Sequence, residues 1–108
     1  MTVQNIIDAG KFEVLVEGTP SRTVEKIFCC DLLSIAMGKA PTDSAWVTVM
    51  GNRNTLAVAS LADVSCIILA EGVTMNETDL GQANEEGVTV FATDLPIFEA
   101  ALIIHELA

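Results

Sequence analysis

Short apolar runs alternate with amphipathic stretches along the whole chain. The segment "SCIILAEG" is apolar without interruption from Cys66 to Ala70 and then ends in a glycine turn, and "WVTVM" and "VTVFATD" have the same form. Uninterrupted apolar runs of this length are typical of strands that are covered on both faces. A segment with helix-start signals follows each run. The pattern therefore predicts repeated strand–helix units.

The predicted elements alternate in type from one end of the chain to the other. We expect Asp31 to cap a short helix that ends at Gly38, Asn76 to cap a polar helix, and Thr93 or Asp94 to cap the last helix. Successive strand–helix units favour a parallel sheet with right-handed crossovers. The predicted fold class is therefore α/β, with three layers and a mostly parallel sheet that has helices on both faces. Helices are predicted in "TVQNIIDAG", "DLLSIAMG", "GNRNTLAVASLAD", "NETDLGQANEEG" and "LPIFEAALIIHELA", and the other strands in "KFEVLVEG" and "VEKIFCC".

Composition narrows the class of protein. The chain has 108 residues, of which 51% are hydrophobic, so we expect a single folded domain over residues 1–108. Its net charge of −10 excludes the basic footprint that nucleic acids and anionic membranes require. No apolar stretch reaches the length of about 18 residues that spans a bilayer, and the first residues do not spell a secretory signal. We expect a soluble, cytoplasmic protein.

The residue types that carry most enzyme chemistry are few and scattered. Cys29 and Cys30 are adjacent, Cys66 lies in an apolar run, and His105 is the single histidine, in the last turn of the predicted final helix. The cysteines and the histidine show neither the spacing of metal ligands nor that of a disulfide framework, so reduced thiols are expected. Of the three thiols, that of Cys30 is expected to be the least buried. We predict no catalytic residue, cofactor or metal.

Polar residues and glycines gather where three predicted strands end. Ligands of open α/β sheets bind beyond the carboxyl ends of the strands, where helix N-termini attract anions. Helix capping and a salt bridge from Arg53 to a nearby acid explain the same residues without a ligand. Neither a GxGxxG nor a GxxxxGK[ST] motif occurs. The candidate ligand residues are Asn52, Arg53, Glu71, Gly72, Thr93 and Asp94.

Two predicted helices carry more apolar residues than one sheet face can cover. The helix over residues 54–63 is apolar on nearly every side, and the helix over 95–106 has a similar run. Either a second layer of the same domain buries the surplus, or the chain dimerises through these helices. A two-fold symmetric homodimer is the expected geometry. The candidate interface residues are Leu56, Val58, Ala59, Leu102 and Ile103.

The order of these segments resembles that of the DRTGG domain family. The resemblance rests on "CDLLSIAMG", "WVTVMGNRNTLAVASLADVSCIILAEG" and "EEGVTVFATDLPIFEAA", and is most specific over residues 31–104. The family's TGG-like turn stands here as Ala70-Glu71-Gly72, and its Asp-Arg as Asn52-Arg53. A similar domain forms the N-terminal part of the HPr serine kinase, whose P-loop lies in a separate catalytic half that this chain lacks.

The resemblance implies an α/β domain that tends to dimerise and to accompany regulatory modules. In some pyrophosphatases such a domain lies with paired CBS modules near an adenine-nucleotide regulatory site. The leading hypothesis is therefore a non-catalytic, homodimeric regulatory or interaction module, whose protein partner the sequence does not name. The alternative is a sensor that binds a nucleotide or a phosphorylated metabolite at the strand ends.

Overall fold

The computed structural model describes residues 1–108 and contains one five-stranded sheet between two layers of helices. The strand order is β1-β5-β4-β3-β2, with β1 antiparallel to β5 and the other neighbours parallel. The predicted three-layer α/β fold is confirmed. The elements are α1 (Val3–Ala9), β1 (Glu13–Val16), β2 (Lys26–Cys29), α2 (Leu33–Lys39), β3 (Ser44–Thr48), α3 (Arg53–Ala62), β4 (Cys66–Leu69), α4 (Glu77–Glu86), β5 (Thr89–Ala92) and α5 (Ile97–Leu107).

Each face of the sheet has its own apolar core. Trp46, Ile67 and Val90 point toward α2, α3 and α4, which cover what we call the three-helix face. Ile68 and Phe91 point toward α1 and α5, which cover the two-helix face. Since neighbouring side chains of a strand point to opposite faces, the uninterrupted apolar runs serve both cores.

The crossovers determine which helices have neighbours. Strands β2 to β5 lie side by side in chain order, so the helices between them all fall on one face. Helix α3 is therefore the middle one of three and contacts both α2 and α4. Helix α5 leaves β5 toward the opposite face, where α1 is its helical neighbour. This difference decides which of the two apolar helices keeps an exposed side.

Several helix ends differ from the sequence-based expectation. Asp31 does not cap α2, because its carboxylate accepts hydrogen bonds from the Thr48 hydroxyl and the Val49 amide, each at 2.8 Å. Leu32 occupies the N-cap position without a side-chain hydrogen bond. Gly38 lies inside α2, which continues to Lys39.

The start of the last helix also differs from the expectation. Neither Thr93 nor Asp94 caps α5, which begins at Ile97 after Pro96 in the N-cap position. The Thr93 hydroxyl instead accepts a hydrogen bond from the Leu95 amide in the preceding turn. The prediction for the polar helix is confirmed, because the Asn76 side chain accepts a hydrogen bond from the Asp79 amide at 2.8 Å.

Candidate functional site

Three loops meet at the carboxyl edge of the sheet. Strands β3, β4 and β5 are adjacent and parallel, so the loops that follow them leave the sheet side by side. We call residues 50–53, 70–75 and 93–95 together the strand-end site. The fold thus brings all six predicted ligand residues to one edge of the molecule.

The loops after β4 and β5 are bonded to each other. The Glu71 amide donates a hydrogen bond to the Leu95 carbonyl oxygen, and the Gly72 amide donates one to the Thr93 carbonyl oxygen, both at 2.9 Å. Adjacent strands whose helices leave toward opposite faces normally open a ligand crevice between them. These two hydrogen bonds close that crevice and occupy two of the amides that an anion would need.

Backbone geometry keeps this corner tight. Gly72 has φ +75°, and a Cβ placed there would lie 3.2 Å from the Asp94 carboxylate oxygen. Glu71 also adopts a positive φ, of 59°, although it is not a glycine. A Cβ on Gly51 would collide with the Thr74 carbonyl oxygen, so the loop after β4 packs directly on the turn after β3. Two carboxylates, at Glu71 and Asp94, therefore stand beside the closed crevice.

Arg53 is the one basic residue in the three loops of the strand-end site, and it has a partner. Its Nε lies 3.3 Å from the carboxylate of Asp79, a buried residue in the first turn of α4. The Arg53 side chain is 70% exposed, and no other protein hydrogen bond from its guanidinium is present. Asn52 caps α3, because its side-chain oxygen accepts from the Thr55 amide at 3.1 Å. Asn52 as a helix cap and Arg53 as an ion-pair partner thus have the structural roles that the sequence analysis gave as the alternative to ligand binding.

The candidate interface residues divide between core and surface. Leu56, Val58 and Ala59 are buried in the core of the three-helix face. They have almost no surface to offer to another chain, because α2 and α4 flank α3 and the sheet lies beneath it. Leu102 on α5 is 39% exposed and Ile103 is half-buried.

Phe98, on α5, is not among the interface residues that were predicted from the sequence. It is 69% exposed, and it precedes Leu102 by one helical turn on the same side of the helix. The signal was present in the sequence, because Ala100 and Ile104 form the opposite, buried side of α5. We call Phe98 and Leu102 the α5 ridge.

The family model described as the DRTGG domain matches residues 5–107. The chain belongs to the DRTGG domain family. This is a family of regulatory-type domains. A search of curated proteins found no significant match.

The thiols and the histidine of this DRTGG domain form no hydrogen bond with one another. Burial raises the pKa of the Cys66 thiol to about 12, and burial followed by the charge of Asp31 raises the pKa of Cys29. Cys29, and not Cys30, is the most exposed of the three. His105 lies near Val24 at the start of β2, at the opposite edge of the sheet from the strand-end site.

Two further properties of the DRTGG domain concern metals and membranes. No group of three or more His, Cys, Asp or Glu side chains is arranged to hold a metal ion. None of the helices combines the length and the hydropathy that crossing a bilayer requires.

Proposed function

We propose that this DRTGG domain is a non-catalytic regulatory module that acts as a homodimer and uses the α5 ridge as part of its dimer interface. The observation that carries the proposal is the exposure of Phe98, 69% of whose side chain faces solvent. Aromatic side chains are enriched in protein interfaces, and burial of one such ring contributes much of the binding free energy of many complexes.

The surroundings of the α5 ridge support this use. The outward side of α5 also carries Glu99, His105 and Glu106, which place polar groups around Phe98 and Leu102. An apolar centre with a polar rim is the usual composition of a protein–protein interface. The family's regulatory character supports a role through association instead of through a reaction.

Phe98→Lys tests the proposal. We expect wild-type protein to be a dimer by light scattering coupled to size-exclusion chromatography. Loss of an anchoring aromatic residue typically costs about 2 kcal/mol or more, which weakens dimerisation roughly thirtyfold. The variant should remain folded, because Phe98 contributes little to the core of the single chain.

Leu61→Lys is the matched control. Leu61 is 79% exposed, but it lies on α3, which covers the other face of the sheet. This variant should dimerise as the wild type does. A wild-type protein that stays monomeric at high micromolar concentration, or a dimer that only Leu61→Lys disrupts, contradicts the proposal.

A second candidate function is a sensor of small phosphorylated ligands. The observation that favours it is the position of Arg53 at the strand-end site, where the side chain is 70% exposed and only Nε has a protein partner, the carboxylate of Asp79. A guanidinium presents two parallel donors to a phosphate. Such a ligand would bind over α3 and α4 and not in the closed crevice between β4 and β5.

A further inference from the structure

A groove runs along the outer edge of β2. The cavity has a volume of about 390 Å³ and lies between this strand and the C-terminal turns of α5. Its apolar lining includes Val24, Ile27 and Ile104, and His105 forms part of its wall. Phe98 precedes His105 by two helical turns and therefore lies on the same side of α5. The open strand and the groove thus lie together, and the exposed ring of Phe98 is on the side of α5 that carries His105.

The two edges of the sheet are not equally protected. Strand β1 has a register shift between Val14 and Val16, and the exposed residues Glu13 and Glu17 stand at its ends. Bulges and like charges are the usual means by which an edge strand avoids pairing with another chain. Strand β2 pairs with β3 in an unbroken register from Lys26 to Cys29. Its outer edge therefore keeps the regular backbone geometry that pairing with another strand requires.

Backbone direction shows which groups of β2 face outward. The Glu25 amide donates to Asp43 in the chain leading into β3, whereas the Val24 amide donates to Met1 on the outer side, each at 2.8 Å. Because backbone groups alternate in direction along a strand, the amides and carbonyls of Lys26 and Phe28 also face outward. Met1 already occupies the position beside Val24, which leaves the groups of Lys26 and Phe28 for a partner.

We propose that two copies of this chain pair antiparallel through their β2 strands, joining two sheets into one continuous sheet, with Ile27 on the two-fold axis. The inference rests on the proposed homodimer and specifies its geometry. In this register Lys26 of each copy lies opposite Phe28 of the other, and each such pair exchanges both of its backbone hydrogen bonds. The strand of the second copy ends at Cys29, opposite Glu25 and one residue before the position of Met1.

Charge and packing both favour a second copy at this edge. Glu25 and Lys26 offset each other here, although the whole chain has a net charge of −10. The paired strands themselves therefore meet without a net charge, while the acidic residues Glu99 and Glu106 lie on the outward side of α5. Helix α5 contacts both β2 and β3, so the α5 helices of the two copies approach each other above the axis and cover the groove. The pairing predicts that Phe98, on the same side of α5 as His105, loses its exposure in the dimer, as the proposed function requires.

Lys26→Pro tests the pairing, because proline removes an outward amide and leaves the amides that face β3 in place. Edge strands tolerate proline where the amide faces solvent. We expect Lys26→Pro to lose the dimer in light scattering, while the matched control Lys26→Ala, which retains the amide, keeps it. Thermal melting of both variants checks that each is folded.

A cysteine at the axis provides a second readout that does not depend on proline. Residues opposite each other in a pair that makes no hydrogen bonds have Cα atoms about 4.5 Å apart, within the disulfide range of about 4.4–6.8 Å. Ile27→Cys in a Cys29→Ser background should therefore form a disulfide-linked dimer on mild oxidation. Leu61→Cys in the same background should stay unlinked.

The outcomes separate this inference from the proposed function. If the wild type is a dimer but Ile27→Cys does not cross-link and a folded Lys26→Pro still dimerises, the β2 pairing is wrong and the homodimer stands. If Lys26→Pro is unfolded, the cross-link alone decides. A wild type that is monomeric overturns the proposed function and this geometry together.

Discussion

The two candidate functions require different contacts from Arg53. Its contact with the buried Asp79 carboxylate links α3 to α4, and the exposed end of its guanidinium is the one cationic group that the strand-end site offers to an anion. A purely structural Arg53 needs only the first contact. A ligand-binding Arg53 needs both, since the same side chain must reach a phosphate without leaving Asp79.

Thermal shift measurements with AMP and with inorganic phosphate test the sensor. If one of them binds the folded chain, saturation at about 100 times Kd adds roughly 2.7 kcal/mol to stability and raises Tm. We expect Arg53→Ala to remove the shift, measured from the variant's own Tm because loss of the contact with Asp79 lowers that baseline. Lys39→Ala, which removes an exposed cation on α2, should keep the full shift. Equal shifts in wild type and Arg53→Ala would reject a role for Arg53 in binding.

At the scale of single elements, α3 and α5 share an apolar composition but have different surroundings. Both are rich in small and branched apolar residues, and the sequence alone does not say which one keeps an exposed side. Helix α3 lies between α2 and α4, so its apolar residues are covered within one chain. Helix α5 has only α1 beside it on its face, and the α5 ridge stays exposed.

Leu56→Ala should show that α3 belongs to the core. Leu56 is fully buried, so truncation leaves a cavity and should lower the free energy of unfolding by about 2–5 kcal/mol. Leu61→Ala removes the same atoms from the exposed side of the same helix and should change it by less than about 0.5 kcal/mol. Urea denaturation of both variants gives the comparison. Similar losses of unfolding free energy in the two variants would mean that Leu61 is also buried.

The strands and most helices could be predicted because their signals are local. Apolar runs mark β3, β4 and β5, and Asn76 begins α4 as its side chain and spacing indicate. The prediction for Asp31 was wrong because its carboxylate accepts hydrogen bonds from Thr48, the last residue of β3, and from Val49, which follows it, a tertiary contact that a cap signal cannot reveal. The strand-end residues were placed together correctly, since parallel strands end at one edge. The hydrogen bonds that close the crevice depend on loop geometry and had no sequence signal.

For the whole molecule, charge opposes the association that apolar surface favours. Each copy has a net charge of −10, so two copies repel each other at long range although the paired β2 strands carry no net charge. The Debye length falls from about 30 Å at 0.01 M salt to about 8 Å at 0.15 M, and this repulsion is screened over the same range.

We therefore expect the Kd of the dimer to fall as NaCl rises from about 0.01 M to about 0.15 M, as measured by sedimentation equilibrium. The change should level off once the Debye length is shorter than the distance between most charges of the two copies. Strengthening that continues steadily toward about 1 M would instead reflect salting-out of apolar surface, because long-range repulsion is already screened at that concentration. A Kd that rises with salt would contradict this expectation, since it requires attractive ion pairs across the interface that outweigh the repulsion between two acidic chains.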